Sequence, residues 1–286
     1  MPSSYDPQGE ILPPAPSGVG HHRPVPDYET EASRPNSRSR GWNVLAAPGT
    51  YLLVGINCAV YLWMVLHGVS PSEPTPMQLI HYGANVPVLV LHGQWYRLLT
   101  ATFVHVGIIH IATNMWCLWN LGLLGEPLLG PMGLVAVYVL TGIAGNLLST
   151  GFNVVDALAR RGPMEFFVGA GASGAVFGIA GILIVLLSNR KLPIPWYELK
   201  RLRRSVIWFA AINLVIGWGT VLLPVVRIDN FAHLGGFLSG LALGLPLLPR
   251  MTSGRARYLQ RQKVTFAMAA FALALFGYWI ANLIRA

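Results

Sequence analysis

The chain has 286 residues, of which 53% are hydrophobic and 11% charged, with a formal net charge of +9. About a quarter of the residues in an ordinary soluble domain are charged, so this composition excludes a water-soluble globule and makes lipid the expected solvent. The positive balance does not mark a nucleic-acid binder, because eleven of the twenty Lys and Arg residues fall in two segments between apolar runs, "NRKLPIPWYELKRLRR" and "PRMTSGRARYLQRQK".

Residues 1–43 come first. With "ILPPAPSGVG" and "EASRPNSRSR" they mix charges with few large apolar side chains, and they read as a disordered cytoplasmic tail. No short basic start and cleavage site of a secretory signal precedes the first apolar run. Seven runs then follow, near 50–66, 102–124, 131–150, 170–188, 205–223, 230–248 and 264–283. Each approaches the 17 to 25 residues that a bilayer core requires of a helix. The fold class predicted is an all-α polytopic membrane protein, with a six-helix core over 44–249 and a basic loop plus a seventh transmembrane helix over 250–286. The basic segments, read as loops, share one side, and positive loops stay inside, which puts the N-terminus in the cytoplasm and the C-terminus outside. Cys58 and Cys117 fall within helices and form no disulfide framework.

Polar groups inside a bilayer are costly and few. The second run carries His105, His110, Asn114 and Glu126, the fourth Ser173, the fifth Asn213, and the sixth Asn230 and His233. The second, fourth and sixth helices run in the same direction, so their N-terminal ends share one leaflet. At about 1.5 Å per residue, Ser173, His233, His110 and Asn114 lie at similar depth. His110 and Asn114, four apart, project together; on a regular helix His105 is rotated about 140° away from His110. Gly236, Gly240 and Gly244 form a smooth stripe beneath His233.

Each of these residues also has a structural reading. Ser173 with Gly174 and Gly178 is what close helix packing in membranes uses. His233 beside a GxxxG face fits a hydrogen-bonded interior histidine, and His110 with Asn114 fits interhelical glue. Trp95 and Arg97 in "GQWYRLLTATFVH" look first like interfacial anchors. Glu126 reads as a cap or a loop-helix hydrogen bond. Other chemistries lack their signatures: "HVGIIH" has the wrong spacing and no glutamate for zinc, no membrane aspartate pair occurs, and "GAGASG" follows a loop rather than a strand. No metal or cofactor is expected. A hydroxyl, an imidazole and two hydrogen-bonding side chains at one depth make the inventory of acyl transfer, since a serine needs a base and an oxyanion needs fixed donors.

Over roughly residues 50–248 the chain resembles the rhomboid family of intramembrane serine proteases. "HVGIIHIATN" resembles the family's HxxxxHxxxN segment, "GASG" its GxSG motif, and "AHLGGFLSG" its AHxxGxxxG; "WYR" and "LGLLGE" fit the flanking loop and helix end. The resemblance implies a nucleophile at Ser173, a general base at His233, and an oxyanion hole from His110, Asn114 and the Ser173 N–H. It implies supporting roles for His105, Gly171, Trp95, Arg97 and Glu126, and close helix approach at Gly236 and Gly240. The residue one turn after the serine, often tyrosine in the family, is Phe177, which can pack on His233 but has no hydroxyl.

The function expected is therefore intramembrane endopeptidase action, through an acyl-enzyme, on single-span membrane proteins within the lipid bilayer. No nucleic acid and no metal takes part. Helical carbonyls are already bonded, so substrates with locally weak helices are expected. Asp229, one turn before His233, reads as a surface carboxylate at the helix mouth in preference to a third catalytic member. The rivals are a catalytically silent helix-binding relative and, against the lack of an inverted repeat, a transporter. Short loops suggest a bacterial inner membrane.

Overall fold

The computed structural model describes residues 47–219, 228–248 and 254–283; the expected tail, residues 1–43, lies outside them. Among the described residues the chain forms ten helices and no named strand. They are α1 (Pro48–Leu66), α2 (Pro76–His81), α3 (Pro87–Leu91), α4 (Arg97–Thr100), α5 (Ile108–Leu129), α6 (Pro131–Arg160), α7 (Ser173–Leu186), α8 (Trp196–Gly219), α9 (Asn230–Leu247) and α10 (Arg255–Leu283). Seven of these correspond to the seven apolar runs, and the molecule is an all-α membrane protein. By length and composition α1, α6 and α10 can each cross a bilayer alone.

The short helices α2 to α4 have no counterpart among the apolar runs. Their starts are nonetheless written in the sequence: Pro occupies the first turn of α2 and α3, where its missing N–H costs nothing. At α2, Thr75 and Gln78 exchange side-chain and backbone hydrogen bonds in a full capping box.

Two of the expected spans are corrected. The run 102–124 is not helical throughout: α5 starts at Ile108, after Gly107 with φ of +115°. Residues 102–107 instead form a non-helical strap, in which Thr102 O accepts from Tyr138 Oη of α6. The run 170–188 gives a helix of only 14 residues, about 21 Å long, against about 30 Å of hydrocarbon. α7 is short because it is interior. Twelve of its residues are buried, and it touches α5, α6, α8 and α9. Its loop enters at depth, which lipid forbids but surrounding protein allows.

The basic segments are corrected too. Residues 196–204 and 255–263 are not loops but the opening turns of α8 and α10, where Arg, Lys, Leu and Gln favour helix.

Buried polar groups tie the bundle. Glu126, 3% exposed, accepts from Gly49 N at 2.8 Å, Thr50 N at 2.7 Å and Thr50 Oγ1 at 2.7 Å. A carboxylate from the end of α5 thus caps α1, satisfying N–H groups that have no intrahelical partner. Tyr138 Oη of α6 donates to Thr102 O at 2.9 Å and accepts from Asn57 Nδ2 of α1 at 3.0 Å, fastening the strap from behind. α10 packs along α6 and α9, and Gln262 donates to Leu129 O at 2.9 Å.

Candidate active site

Ser173 opens α7, and the loop before it is held at three residues by four hydrogen bonds. Asn85 and Gly169 exchange backbone hydrogen bonds at 2.7 and 2.8 Å, Gly171 N donates to Ala101 O at 2.9 Å, and Ala172 N donates to His105 Nε2 at 3.3 Å. Because that nitrogen accepts, the His105 proton sits on Nδ1 and is donated to Phe103 O at 3.1 Å. His105 lies in the strap rather than on a helix. The 140° rotation from His110 therefore does not apply, and the two rings meet edge to face at 5.4 Å.

His110 and Asn114 occupy the first two turns of α5. Val106 N donates to His110 Nδ1 at 3.3 Å, which leaves the His110 proton on Nε2. Gly171 has φ of +137°, and a Cβ built there would lie 3.0 Å from His110 Nε2 and 3.6 Å from Asn114 Nδ2. Two N–H donors thus converge beside the backbone that leads into Ser173. Asn114 Nδ2 is buried without a hydrogen-bond partner, a state that costs about 1 to 3 kcal/mol. At this point the first N–H groups of α7 are also free of helical partners.

His233 sits in the first turn of α9, 7% exposed, with Nδ1 unpartnered. Phe177, one turn along α7 from Ser173, stacks on its ring with centroids 4.5 Å apart. Small residues permit this approach. A Cβ at Gly236 would overlap Gly174 O and lie 2.7 Å from Gly174 C, and one at Gly240 would overlap Gly178 O. The neighbours of the two proposed catalytic residues are in contact range as well: a Cβ at Gly174 would lie 3.2 Å from Ala232 O. Among the described residues no hydrogen bond joins Ser173 to His233.

Asp229 differs from the surface carboxylate expected. It is half-buried and is the N-cap of α9: Oδ1 accepts from Ala232 N at 2.9 Å and Oδ2 from Ser149 Oγ at 2.7 Å. Neither carboxylate oxygen touches the unpartnered His233 Nδ1. Asparagine caps as well as aspartate, so Asp229→Asn is expected to keep a cleavage rate within about twofold of wild type, whereas Asp229→Ala loses about 1 kcal/mol of stability. A collapse of rate in folded Asp229→Asn protein, measured by substrate cleavage beside a melting curve, would make it a third catalytic member instead of a cap.

The remaining residues singled out from the sequence lie away from Ser173. Arg97 is not an interfacial anchor but 6% exposed, its guanidinium donating to Ile80 O at 2.7 Å, Ala84 O at 3.0 Å and Gln94 Oε1 at 2.6 Å. Trp95 is half-buried and faces α10, where a Cβ on Gly277 would lie 3.4 Å from its ring. Glu126 lies twelve residues, or about 18 Å, down α5 from Asn114.

This arrangement can be compared with known proteins. Residues 92–250, more than half of the chain, match the family model of the Rhomboid domain. The chain belongs to the rhomboid family. It is 34% identical over 202 residues to Rhomboid protease GluP of Bacillus subtilis, covering 69% of this chain and 35% of that protein. Rhomboid-like protease 2 of Toxoplasma gondii is 30% identical over 217 residues, covering 71% of this chain and 69% of the relative. For Rhomboid protease AarA of Providencia stuartii the figures are 29% over 206 residues, 68% and 71%. The chain thus spans only about a third of the GluP protein.

Sequence reasoning passed over several residues that position this rhomboid-family site. Asn85 is fully buried, and its Nδ2 donates to Asn146 O at 3.2 Å and Thr150 Oγ1 at 3.3 Å. Asn57, Tyr138 and Asn146 are likewise buried within apolar helices. For Asn57 and Asn146 the sequence carries a signal, since an Asn inside an apolar membrane run is costly in the same way as a histidine there.

Proposed function

We propose that this rhomboid-family chain is an intramembrane serine endopeptidase with a Ser173–His233 dyad. The observation that carries the proposal is the convergence of two side-chain donors, His110 Nε2 and Asn114 Nδ2, on the backbone leading into a serine whose helix also packs, through Phe177, on the buried His233 ring of α9. Buried unpaired donors are otherwise a cost; aimed at a developing oxyanion they stabilise the transition state.

In this mechanism Ser173 Oγ attacks the scissile carbonyl carbon while the His233 imidazole takes its proton. The carbonyl oxygen, now an oxyanion, accepts from His110 Nε2, Asn114 Nδ2 and the Ser173 N–H. Collapse breaks the C–N bond, with the imidazolium protonating the leaving amine. Water, activated by the same imidazole, then hydrolyses the acyl-enzyme and releases the carboxylate product. Substrate docking draws Ser173 Oγ and His233 into hydrogen-bond contact, as catalytic pairs commonly tighten only in the complex. His105 holds Ala172 and so fixes the donor geometry.

The substrates are single-span membrane proteins whose helix is weak near the site, because a helical carbonyl is bonded and shielded. Small residues at the cut follow from the family resemblance. The catalytic core is 44–249, with α10 an addition. The positive bias of the basic segments supports a cytoplasmic N-terminus and an outside C-terminus, and the short loops support a bacterial inner membrane.

The test is reconstitution of the pure protein with a single-span substrate, together with labelling by a fluorophosphonate. Cleavage and label on Ser173 are the expected results. Absence of both would leave the silent helix-binding relative, and transport of a solute without cleavage would favour a transporter.

A further inference from the structure

The end of the bundle opposite Ser173 carries a charge distribution that the protease reading does not use. Residues 190–204 hold six basic residues and one acidic, and residues 255–263 four basic and none acidic. Both stretches border the C-terminal end of α9: Asn189, next to the first, donates from Nδ2 to Leu248 O at 3.5 Å, and Arg261 of the second donates from Nε to Pro246 O at 3.1 Å. Within the first stretch, the guanidinium carbons of Arg190 and Arg203 lie 4.5 and 5.9 Å from the same Trp196 ring. Among the described residues the one ion pair here is Arg201 with Glu198.

Helix stability does not account for this. Basic residues in the first turns of α8 and α10 sit where the helix dipole disfavours them, and like charges gathered round one indole repel. Depth supplies the missing counter-charge. α10 has 29 residues, about 43 Å against about 30 Å of hydrocarbon. Its first nine residues, which carry the four cations, therefore extend through the headgroup layer.

We propose that these two stretches form one binding surface for the phosphodiester headgroups of anionic diacyl phospholipids, with the Arg190–Trp196–Arg203 cluster as its most structured part. Guanidinium pairs suit phosphate oxygens, and a half-buried indole between them suits the boundary of headgroup and acyl chain. The proposal requires only that the helices span a membrane, and it is independent of catalysis.

The full-length protein in detergent is titrated with phosphatidylglycerol or phosphatidylcholine, and retained lipid is read by native mass spectrometry. Phosphatidylglycerol is expected to be retained in preference. Arg190→Gln with Arg203→Gln, and separately Arg257→Gln with Lys263→Gln, each weaken that retention by about fivefold per charge removed. Lys191→Gln with Lys263→Gln, both exposed in this structure, repeats the test at side chains outside the core. Fluorophosphonate labelling of Ser173 in phosphatidylcholine vesicles is expected to be unchanged in all three. Equal retention of the two lipids, or wild-type retention by the variants, overturns the proposal. Loss from only one of the two stretches overturns the single composite surface. Displacement of phosphatidylglycerol by equal concentrations of glycerol phosphate would mean a site for the free anion and not for lipid.

Discussion

Ser173→Ala and His233→Ala are each expected to lower cleavage of a reconstituted single-span substrate by about a million-fold, and the double variant is expected to fall no further. A nucleophile and its base act as one unit: without the base the hydroxyl keeps its proton, and without the hydroxyl the base has nothing to activate. Initial rates of fragment release measure the effect, and fluorophosphonate labelling separates the two roles. Ser173→Ala loses the label entirely, whereas His233→Ala retains the acceptor oxygen and labels slowly. Asn114→Ala falls less far, by about a hundred- to a thousand-fold, since one donor of several is removed. Phe177 helps to hold the His233 ring by stacking at 4.5 Å. A His233→Ala enzyme within about tenfold of wild type would exclude that residue as general base, because positioned bases contribute more than this.

How far the site was readable from the sequence depends on what each residue's position encodes. Ser173, His233, His110 and Asn114 could be grouped because depth follows from counting along helices that start at one face, and phase from the helical repeat. Ser173 is the first residue of α7 and His110 lies in the first turn of α5, so each stands nearer the start of its helix than the apolar run indicates. The strap over residues 102–107 was not readable, because an apolar run in a membrane protein looks the same whether it is helical or packed as buried loop. A helical reading of that segment turns His105 away from His110, whereas in the strap its Nε2 holds the loop before Ser173. Asp229 was assigned from its position before α9 alone; its partner Ser149 stands 80 residues away, and no local pattern encodes that pairing. The start of α2, in contrast, was fully legible in Thr75, Pro76 and Gln78, since a capping box is a local exchange of hydrogen bonds. Charge outside an apolar run does not distinguish a loop from a helix, because Arg and Lys are good helix formers, and here they extend α8 and α10 beyond their apolar parts.

Gly236→Ala is expected to destabilise the protein by about 3 kcal/mol or more, at the upper end of what overpacking costs, and to reduce turnover of the protein that still folds. A Cβ at this position overlaps the carbonyl oxygen of Gly174 and lies 2.7 Å from its carbon. The obstacle is backbone, so no rotamer change relieves it, and α9 must move away from α7. Gly174 follows Ser173 directly and Gly236 lies three residues after His233, so the same displacement that relieves the overlap widens the gap between the proposed nucleophile and base. A shift of about 1 Å at a reacting pair costs on the order of a hundred-fold in rate. Gly55→Ala is the control: it lies within α1, has no atom within 4 Å of its built Cβ, and is expected to be neutral or to gain up to about 1 kcal/mol from helix propensity. Melting curves and cleavage rates, normalised to folded protein, separate the two effects. If Gly236→Ala unfolds at the wild-type temperature and cleaves at the wild-type rate, the close approach of α9 to α7 is not what brings the imidazole to the serine.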